Sequence, residues 1–306
     1  MSRALGGLLV PVTTPFGAHG EIDAGALRDN VEAHLASGID GIVVAGTTGE
    51  APLLEAEERG ALVGVARSLV PSDRWLIAGV GAESTRETLH RARVAAERGA
   101  DALLVVAPHY FAAAAEPAER NAQLRAHYLR VADESPLPVV LYTIPKYTHF
   151  PLDAALVGEL ARHEKVIGIK DSSGDASLLA GYLASRGDRF AILTGSGGGF
   201  DAALGAGAAG GILAVALFAP VLAIAVRDAR RRGDASAAGA AQSRLAPLAR
   251  EIVGRMGVAG VKAALDLVGL AGGDPRLPLR PATAAERAEV AELLDVAGVP
   301  VASQRR

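Results

Sequence analysis

The chain alternates eight times between a short apolar segment and a longer helical pattern, with no linker between the units. The apolar segments are predicted as strands at 8–12, 41–45, 75–80, 102–106, 139–142, 166–170, 190–194 and 211–215. The segments between them are predicted as helices at 24–37, 55–69, 84–97, 117–133, 153–162, 176–186, 200–205 and 219–231. Because the strands are apolar throughout and do not alternate with polar residues, they indicate a parallel sheet that is covered on both faces.

Eight such units predict an α/β fold, a single (β/α)8 TIM barrel over residues 1–232. An open doubly wound sheet is the rival fold, but that architecture seldom uses eight regular units. Two further helical patterns, at 237–268 and 283–297, lie beyond the eighth unit. Residues 233–306 are therefore predicted as a C-terminal helical extension that packs on the barrel.

Charge and composition exclude several classes of protein. The net charge is −3 with acids and bases interspersed, which predicts no nucleic-acid partner and no polybasic membrane contact. The chain has no cysteine, which excludes disulfides, thiolate metal sites and thiol nucleophiles, and fits a cytoplasmic location. Residues 1–16 lack the pattern of a signal peptide. The uncharged stretch 205–226 is interrupted by Pro220, so it is interpreted as a strand and a helix and not as a membrane span.

One lysine stands at an unusual place. The chain has only four lysines, and Lys170 ends the apolar strand 166–170. A buried position would lower the pKa of its amine and give the free base that Schiff-base chemistry needs. Alternatively, the side chain snorkels to solvent and pairs with Asp171. The residues of this strand alone leave both interpretations open.

Polar groups follow several of the predicted strands, and a barrel would bring them together at one mouth. They are Thr47, Thr48 and Gly49 after the second strand, Tyr110 after the fourth, Tyr142 in the fifth, Lys170 in the sixth and Gly195 after the seventh. Neither a His-x-His pair nor a P-loop pattern is found, so no metal site and no nucleotide cofactor is predicted.

Each of these groups also has a plainer interpretation. The turn 46–49 either cradles a carboxylate with its backbone N–H groups or simply leads the strand into a loop. Tyr142 is either a core tyrosine with a satisfied hydroxyl or a proton carrier, and Tyr110 is either functional or only exposed.

Four ordered motifs together resemble one family. They are Gly-Thr-Thr-Gly-Glu at 46–50, Tyr110 after Pro108, Leu-Tyr-Thr-Ile-Pro at 141–145 and Gly-Ile-Lys-Asp at 168–171. Across roughly the whole chain, this arrangement resembles the dihydrodipicolinate synthase / N-acetylneuraminate lyase family of class I aldolases.

The resemblance implies a Schiff-base mechanism that needs neither a metal nor an organic cofactor. Lys170 would attack the ketone of pyruvate or a related 2-oxo acid, and Tyr142 would carry protons. Thr47 and Thr48 would hold the substrate carboxylate. Thr47 and Tyr110 would complete a hydroxyl relay, with the tyrosine reaching across a subunit interface, so that a homotetramer or homodimer is expected.

The resemblance also implies a set of substrate-binding residues. Gly195 and Leu213 match positions on the pocket floor, and Gly49 and Tyr147 belong to the same predicted set. Dihydrodipicolinate synthases carry an arginine where Tyr147 stands, and that arginine grips the carboxylate of aspartate semialdehyde. The adjacent Lys146 is expected to point away from that position, and lysine lacks the guanidinium group with which arginine makes two parallel hydrogen bonds to a carboxylate.

These features favour a lyase or aldolase that makes or breaks a pyruvate-derived C–C bond in a small 2-oxo acid. The 2-keto-3-deoxy sugar acids and 4-hydroxy-2-oxoglutarate are the expected substrate types. The alternative reaction is that of 4-hydroxy-tetrahydrodipicolinate (dihydrodipicolinate) synthase. An alternative of another class is a non-catalytic barrel that binds an oxo acid.

Overall fold

A computed structural model describes residues 3–302, and it contains a closed barrel of eight parallel strands arranged in chain order. The strands are β1 (Gly7–Pro11), β2 (Gly41–Val44), β3 (Trp75–Gly79), β4 (Ala102–Val106), β5 (Val139–Thr143), β6 (Val166–Asp171), β7 (Ala191–Thr194) and β8 (Gly210–Ile212). The predicted (β/α)8 barrel is confirmed, and so is the parallel direction of every strand pair. The eighth strand ends earlier than predicted, because residues 214–217 turn into a short 3-10 helix.

The longer helices that follow the strands cover the outside of the barrel, and three more lie beyond them. They are α1 (Ala24–Ala36), α2 (Ala56–Arg67), α3 (Thr85–Glu97), α4 (Pro117–Glu134), α5 (Pro145–Thr148), α6 (Ala154–Leu160), α7 (Ala176–Leu183), α8 (Phe200–Ala206), α9 (Pro220–Arg231), α10 (Ala235–Leu248), α11 (Gly257–Leu267) and α12 (Ala284–Val296).

The prediction of one helix over 237–268 is wrong. α10 passes into a π-helical segment, Ala249–Arg255, and α11 starts separately at Gly257. Gly257 has a φ of 65°, a left-handed conformation that glycine adopts without steric cost and that ends a regular helix. Residues on both sides of this break, among them Arg250, Arg255 and Val258, line a cavity at the mouth of the barrel.

Two apolar layers hold the barrel, because successive side chains of a strand point to opposite faces. Leu9 of β1 and Val43 of β2 lie in the inner layer, which fills the barrel. Their neighbours Leu8 and Ile42 lie in the outer layer, between the strands and the helices. Both faces of each strand are therefore buried, which explains why the strand sequences are apolar without interruption.

The uncharged stretch 205–226 does not form one long helix. It is divided among the end of α8, strand β8 and the first half of α9. Between residues 3 and 302, no helix combines the length and the apolar character that crossing a bilayer requires.

Candidate active site

Lys170 lies near the carboxyl end of β6, inside the mouth of the barrel. Only 4% of the residue is exposed, and its Nζ lies 4.3 Å from the ring centroid of Tyr142 on the neighbouring strand. Among the described residues, no carboxylate lies within ion-pair distance of this amine. The Asp171 carboxylate instead accepts a hydrogen bond from the N–H of Ser173 at 2.9 Å, and burial raises the pKa of Asp171. The interpretation of Lys170 as a snorkelling partner of Asp171 is wrong.

Tyr142 connects the lysine to the turn that follows β2. Its hydroxyl oxygen lies 3.3 Å from Oγ1 of Thr47, and either oxygen can donate the hydrogen bond. The lysine and the tyrosine thus come from two neighbouring strands and the threonine from the turn after a third, and the three lie next to one another. Tyr142 is buried, with only 3% of the residue exposed. This is a compact arrangement of an amine with a hydroxyl pair.

A cavity of about 750 Å³ opens beside these groups. Seven of its lining side chains carry a hydroxyl: Thr47, Thr48, Tyr142, Tyr147, Ser172, Ser173 and Ser196. Four of its lining side chains are cationic: Lys146, Lys170, Arg250 and Arg255. No aspartate or glutamate lines this cavity in the part of the chain that the structure describes. The cavity therefore offers many hydrogen bonds and a positive environment, which suits a hydroxylated anion.

Gly195 gives the lysine its space. A Cβ atom at this position would lie 1.9 Å from the Ser172 hydroxyl oxygen and 3.2 Å from Cε of Lys170. Gly195 lines the cavity.

Leu213 does not line the cavity, so its predicted place in the pocket is wrong. Its side chain is fully buried in the outer layer, between the barrel and the helices. The preceding residue, Ile212, belongs to the inner layer and lines the cavity together with Ala214. The two residues are adjacent in the chain, so their side chains point to opposite faces of the barrel wall.

Gly49 also lies outside the cavity lining, in contrast to the prediction. It packs tightly in the turn, where an added Cβ would lie 2.9 Å from the carbonyl oxygen of Val12. Its own carbonyl accepts a hydrogen bond from Thr14 at 2.7 Å. Gly49 thus helps to fix the turn and has no side chain to offer a ligand.

The next residue, Glu50, joins the same turn to the C-terminal extension of the chain. Glu50 has a left-handed backbone, with a φ of 59°. Its carboxylate lies 2.7 Å from Nζ of Lys262 on α11 and accepts a hydrogen bond from the N–H of Arg276 at 2.8 Å. Burial lowers the pKa of Lys262, and the neighbouring Glu50 opposes that effect. Sequence reasoning missed this pair, although a lysine inside the apolar α11 segment was a detectable signal.

Helix α5 contributes two side chains to the cavity. Tyr147 lines it, and burial raises the pKa of the Tyr147 hydroxyl, with Tyr142 adding to the effect. Lys146 lines it as well, and its Nζ donates to the Gly254 carbonyl at 2.7 Å. The expectation that Lys146 points elsewhere is therefore wrong, because this short helix presents both residues to the same cavity.

Tyr110 stands apart from the other predicted residues. It is 73% exposed, and its ring packs edge to face against Phe111 with 5.0 Å between the centroids. Its backbone N–H donates to the Glu83 carboxylate at 2.9 Å. Within one chain, Tyr110 is not among the residues that line the cavity at Lys170.

The sequence as a whole matches that of a known family. The pattern of the Dihydrodipicolinate synthetase family covers residues 4–297. The chain belongs to this family. Its members are class I lyases that form a lysine Schiff base and act on pyruvate, and the chain is an enzyme of this class.

Individual relatives agree with this assignment. The chain is 37% identical over 284 residues to the 4-hydroxy-tetrahydrodipicolinate synthase of Xanthomonas axonopodis pv. citri, covering 93% of this chain and 92% of the relative. It is 38% identical over 302 residues to the corresponding synthase of Kineococcus radiotolerans, covering 97% and 94%.

Solved structures show the same fold. A prophage protein of the dihydrodipicolinic acid synthase family from E. coli K12, in complex with pyruvate, has a TM-score of 0.89 and 28% identity. That comparison covers 97% of this chain and 99% of the other. Dihydrodipicolinate synthase from Aquifex aeolicus has a TM-score of 0.90 and 28% identity, covering 98% and 100%.

Proposed function

We propose that Lys170 is the Schiff-base lysine, and that the enzyme makes or breaks a C–C bond between pyruvate and an aldehyde. The observation that carries this proposal is the position of the amine, buried against the Tyr142 ring and beside the Thr47–Tyr142 hydroxyl pair. Among the described residues no carboxylate lies within ion-pair distance of this amine, and a free amine is the nucleophile of Schiff-base chemistry.

The proposed reaction starts with attack of the Lys170 amine on C2 of pyruvate. Loss of one water from the adduct leaves a protonated imine, which withdraws electrons from C3. Departure of a proton from C3 then gives an enamine, whose C3 attacks the aldehyde carbon while the aldehyde oxygen takes up a proton. Addition of water to the imine finally releases the product and returns the free amine. The reverse sequence cleaves the same bond.

Three hydroxyl-bearing residues have proposed roles in these steps. Tyr142 is proposed to give and take the protons, because its hydroxyl pairs with that of Thr47 and its ring lies against the Lys170 amine. Thr47 and Thr48 are proposed to hold the pyruvate carboxylate through their hydroxyls and the backbone N–H groups of the turn.

The relatives support one particular aldehyde. The similar proteins described above carry the name 4-hydroxy-tetrahydrodipicolinate synthase, which favours pyruvate and aspartate semialdehyde as the substrates. This reaction is the first candidate, and the relatives support it better than the sugar-acid reaction.

One feature of the site favours the second candidate, an aldolase for 2-keto-3-deoxy acids or 4-hydroxy-2-oxoglutarate. Tyr147 lines the cavity where an arginine fork for the semialdehyde carboxylate is expected, and the cavity is rich in hydroxyl groups that match a hydroxylated chain.

Borohydride reduction in the presence of pyruvate tests the proposed chemistry. We expect a covalent adduct on the peptide that contains Lys170, and none in a Lys170→Ala variant whose melting temperature is unchanged. Absence of the adduct in the wild-type protein would refute the mechanism. A coupled assay with aspartate semialdehyde, run beside a panel of 2-oxo-3-deoxy acids, then separates the two candidates. A different result would indicate a non-catalytic barrel: the Lys170→Ala variant still binds pyruvate, and neither the wild type nor the variant turns over any substrate.

A homo-oligomer is part of the proposal, because the exposed Tyr110 needs a second copy to reach a cavity. A monomeric dihydrodipicolinate synthase variant is among the similar structures, with a TM-score of 0.90 and 27% identity. The mass in solution tests this point, and a monomer that is fully active would remove the role proposed for Tyr110. A cytoplasmic location stays a prediction.

A further inference from the structure

We infer that Lys146 binds a second anionic group of the substrate, distal to the 2-oxo acid end that reacts with Lys170. This inference rests on the proposed Schiff-base function. It makes Lys146 a specificity residue and defines the substrate class as 2-oxo acids with a carboxylate or another anion at the far end.

The charge balance of the cavity is the first argument. The cavity of about 750 Å³ at Lys170 has four cationic side chains and no carboxylate in its lining, among the residues that the structure describes. One of the four is Lys170, the proposed nucleophile. A cavity with this surplus of positive charge attracts anions and disfavours cationic ligands. Lys146 also lines an adjoining cavity, whose carboxylates, Glu50, Glu83 and Glu87, lie within ion-pair distance of Lys262, His109 and Arg91.

The pairing of the other cations is the second argument. Arg250 lies 2.7 Å from the Glu251 carboxylate, and Arg255 is paired with Glu251 at 2.9 Å and also with Glu289. Each of these guanidinium groups therefore already has its counter-ion. Lys146 has none within the described chain, so it is the cation with charge available for a ligand.

The hydrogen bonds of Lys146 are the third argument. An ammonium group has three donors, and Nζ of Lys146 uses one of them on the Gly254 carbonyl at 2.7 Å. That bond holds the amine at the cavity wall, where the Tyr147 ring centroid lies 5.4 Å away. Two donors remain for an incoming anion. The pyruvate carboxylate has its own proposed binding groups in Thr47 and Thr48, so a second anion is the natural ligand for Lys146.

Trapping of 2-oxo acids that differ only in the distal group tests this inference without requiring turnover. The probes are 2-oxoglutarate and 2-oxoadipate, with 2-oxopentanoate and 2-oxohexanoate as counterparts of equal length that lack the distal carboxylate. Each is reduced onto the full-length enzyme with borohydride over a range of concentrations. The wild type, Lys146→Met and Lys146→Arg are compared, and Lys165→Met is the matched control. Lys165 precedes β6, at the opposite end of the barrel, and donates to the carbonyls of Asp133 and Ser135.

We expect Lys146→Met to raise the concentration for half-maximal trapping of the dicarboxylates by about 10- to 100-fold, the usual worth of a charged hydrogen bond. The monocarboxylates and pyruvate should be trapped as in the wild type, Lys146→Arg should retain the preference for dicarboxylates, and Lys165→Met should change nothing. High salt should weaken trapping of the dicarboxylates in the wild type more than in Lys146→Met.

Two results would count against different claims. If pyruvate is trapped but Lys146→Met affects dicarboxylates and monocarboxylates alike, or affects neither, the inference about Lys146 is overturned and the proposed function stands. If the wild type traps no 2-oxo acid, pyruvate included, the Schiff-base function is refuted and the inference falls with it.

Discussion

Glu50 and Lys262 form a fully buried ion pair, with 2.7 Å between Oε1 and Nζ. The glutamate ends the Gly-Thr-Thr-Gly-Glu turn after β2, and the lysine belongs to α11 in the C-terminal extension. Nζ of Lys262 also donates to the carbonyls of Thr14 and Asp274, at 2.9 Å each. The extension therefore anchors the turn that presents Thr47 to the candidate active site.

Replacing Lys262 with methionine should strongly destabilise the protein. The variant would leave the Glu50 carboxylate buried without its counter-ion, a loss of about 3–5 kcal/mol in the free energy of unfolding. The concentration of pyruvate for half-maximal trapping should also rise, because the turn loses its anchor. Urea unfolding and borohydride trapping measure the two effects.

The double variant Glu50→Gln/Lys262→Met should recover part of the lost stability, since it removes both charges. Arg130→Ala, which breaks the exposed pair with Glu134, is the control and should cost less than about 1 kcal/mol. A loss below 1 kcal/mol in Lys262→Met would show that the pair does not anchor the turn.

Gly195→Ala tests the space around Lys170. The new methyl group would collide with the Ser172 hydroxyl and press on Cε of Lys170, and a shift of about 1 Å at a reacting group can lower the rate by about 100-fold. Gly198→Ala is the matched control, because a Cβ there meets nothing within 4 Å. Its kcat/KM and stability should change by less than about 0.5 kcal/mol. Equal rates for the two variants would refute the steric argument.

The sequence predicted the barrel because eight apolar segments have one simple closed arrangement, but it could not assign the face of every residue. In strands buried on both faces, Ile212 and Leu213 are equally apolar, so only the structure shows that Ile212 points inward. A lysine inside the apolar α11 segment was a signal of a buried charge, but its partner Glu50 was not predictable, since contacts between distant segments leave no local pattern. The strand sequence placed Lys170 at the end of an apolar strand, but by itself it left the lysine open between a Schiff-base amine and a partner of Asp171.

Acid should weaken the fold through two buried histidines. Burial lowers the pKa of His34 and of His127 to about 4, from 6.5, and Glu83 partly opposes this effect at His127. Between pH 6.5 and 4, the unfolded chain binds protons that the folded chain does not. The free energy of unfolding should therefore fall as the pH falls through this range, by up to about 1.4 kcal/mol per pH unit for each imidazole.

Urea unfolding at a series of pH values measures this slope. His127→Asn keeps a partner for the Thr85 hydroxyl, which lies 2.9 Å from Nδ1 of His127, and it should reduce the slope by about half. His90→Asn, on the exposed face of α3, is the control and should leave the slope as it is. An unchanged slope in His127→Asn would exclude this residue as a source of the acid sensitivity.

The Thr47–Tyr142 hydroxyl pair should act as one unit in proton transfer. Tyr142→Phe should lower kcat by about 100- to 10,000-fold, the usual range for a lost general acid–base group, while pyruvate is still trapped on Lys170. Thr47→Val should have a similar effect, and the double variant should lose less than the product of the two. Tyr128→Phe, which removes a buried hydroxyl on α4, should affect stability but not kcat. Fully multiplicative losses in the double variant would show that the two hydroxyls act separately.

Tyr147→Arg should change the choice of aldehyde. An arginine at this position of α5 would bring a bidentate fork to the cavity beside Tyr142, in addition to the single charge of Lys146. With pyruvate as the first substrate, kcat/KM for aspartate semialdehyde should rise by about 10- to 100-fold, as expected for one charged hydrogen-bonded pair. The value for glyceraldehyde, which has no carboxylate, should stay the same or fall.

Tyr147→Phe separates the two effects of this substitution, because it removes the hydroxyl without adding a charge. If the hydroxyl binds a hydroxylated substrate, Tyr147→Phe should lower activity with the 2-oxo-3-deoxy acids and leave aspartate semialdehyde unaffected. Rapid turnover of aspartate semialdehyde by the wild type, with no gain in Tyr147→Arg, would contradict the prediction. The carboxylate would then already be satisfied, and Lys146 would be the cation in the cavity whose charge is free to bind it.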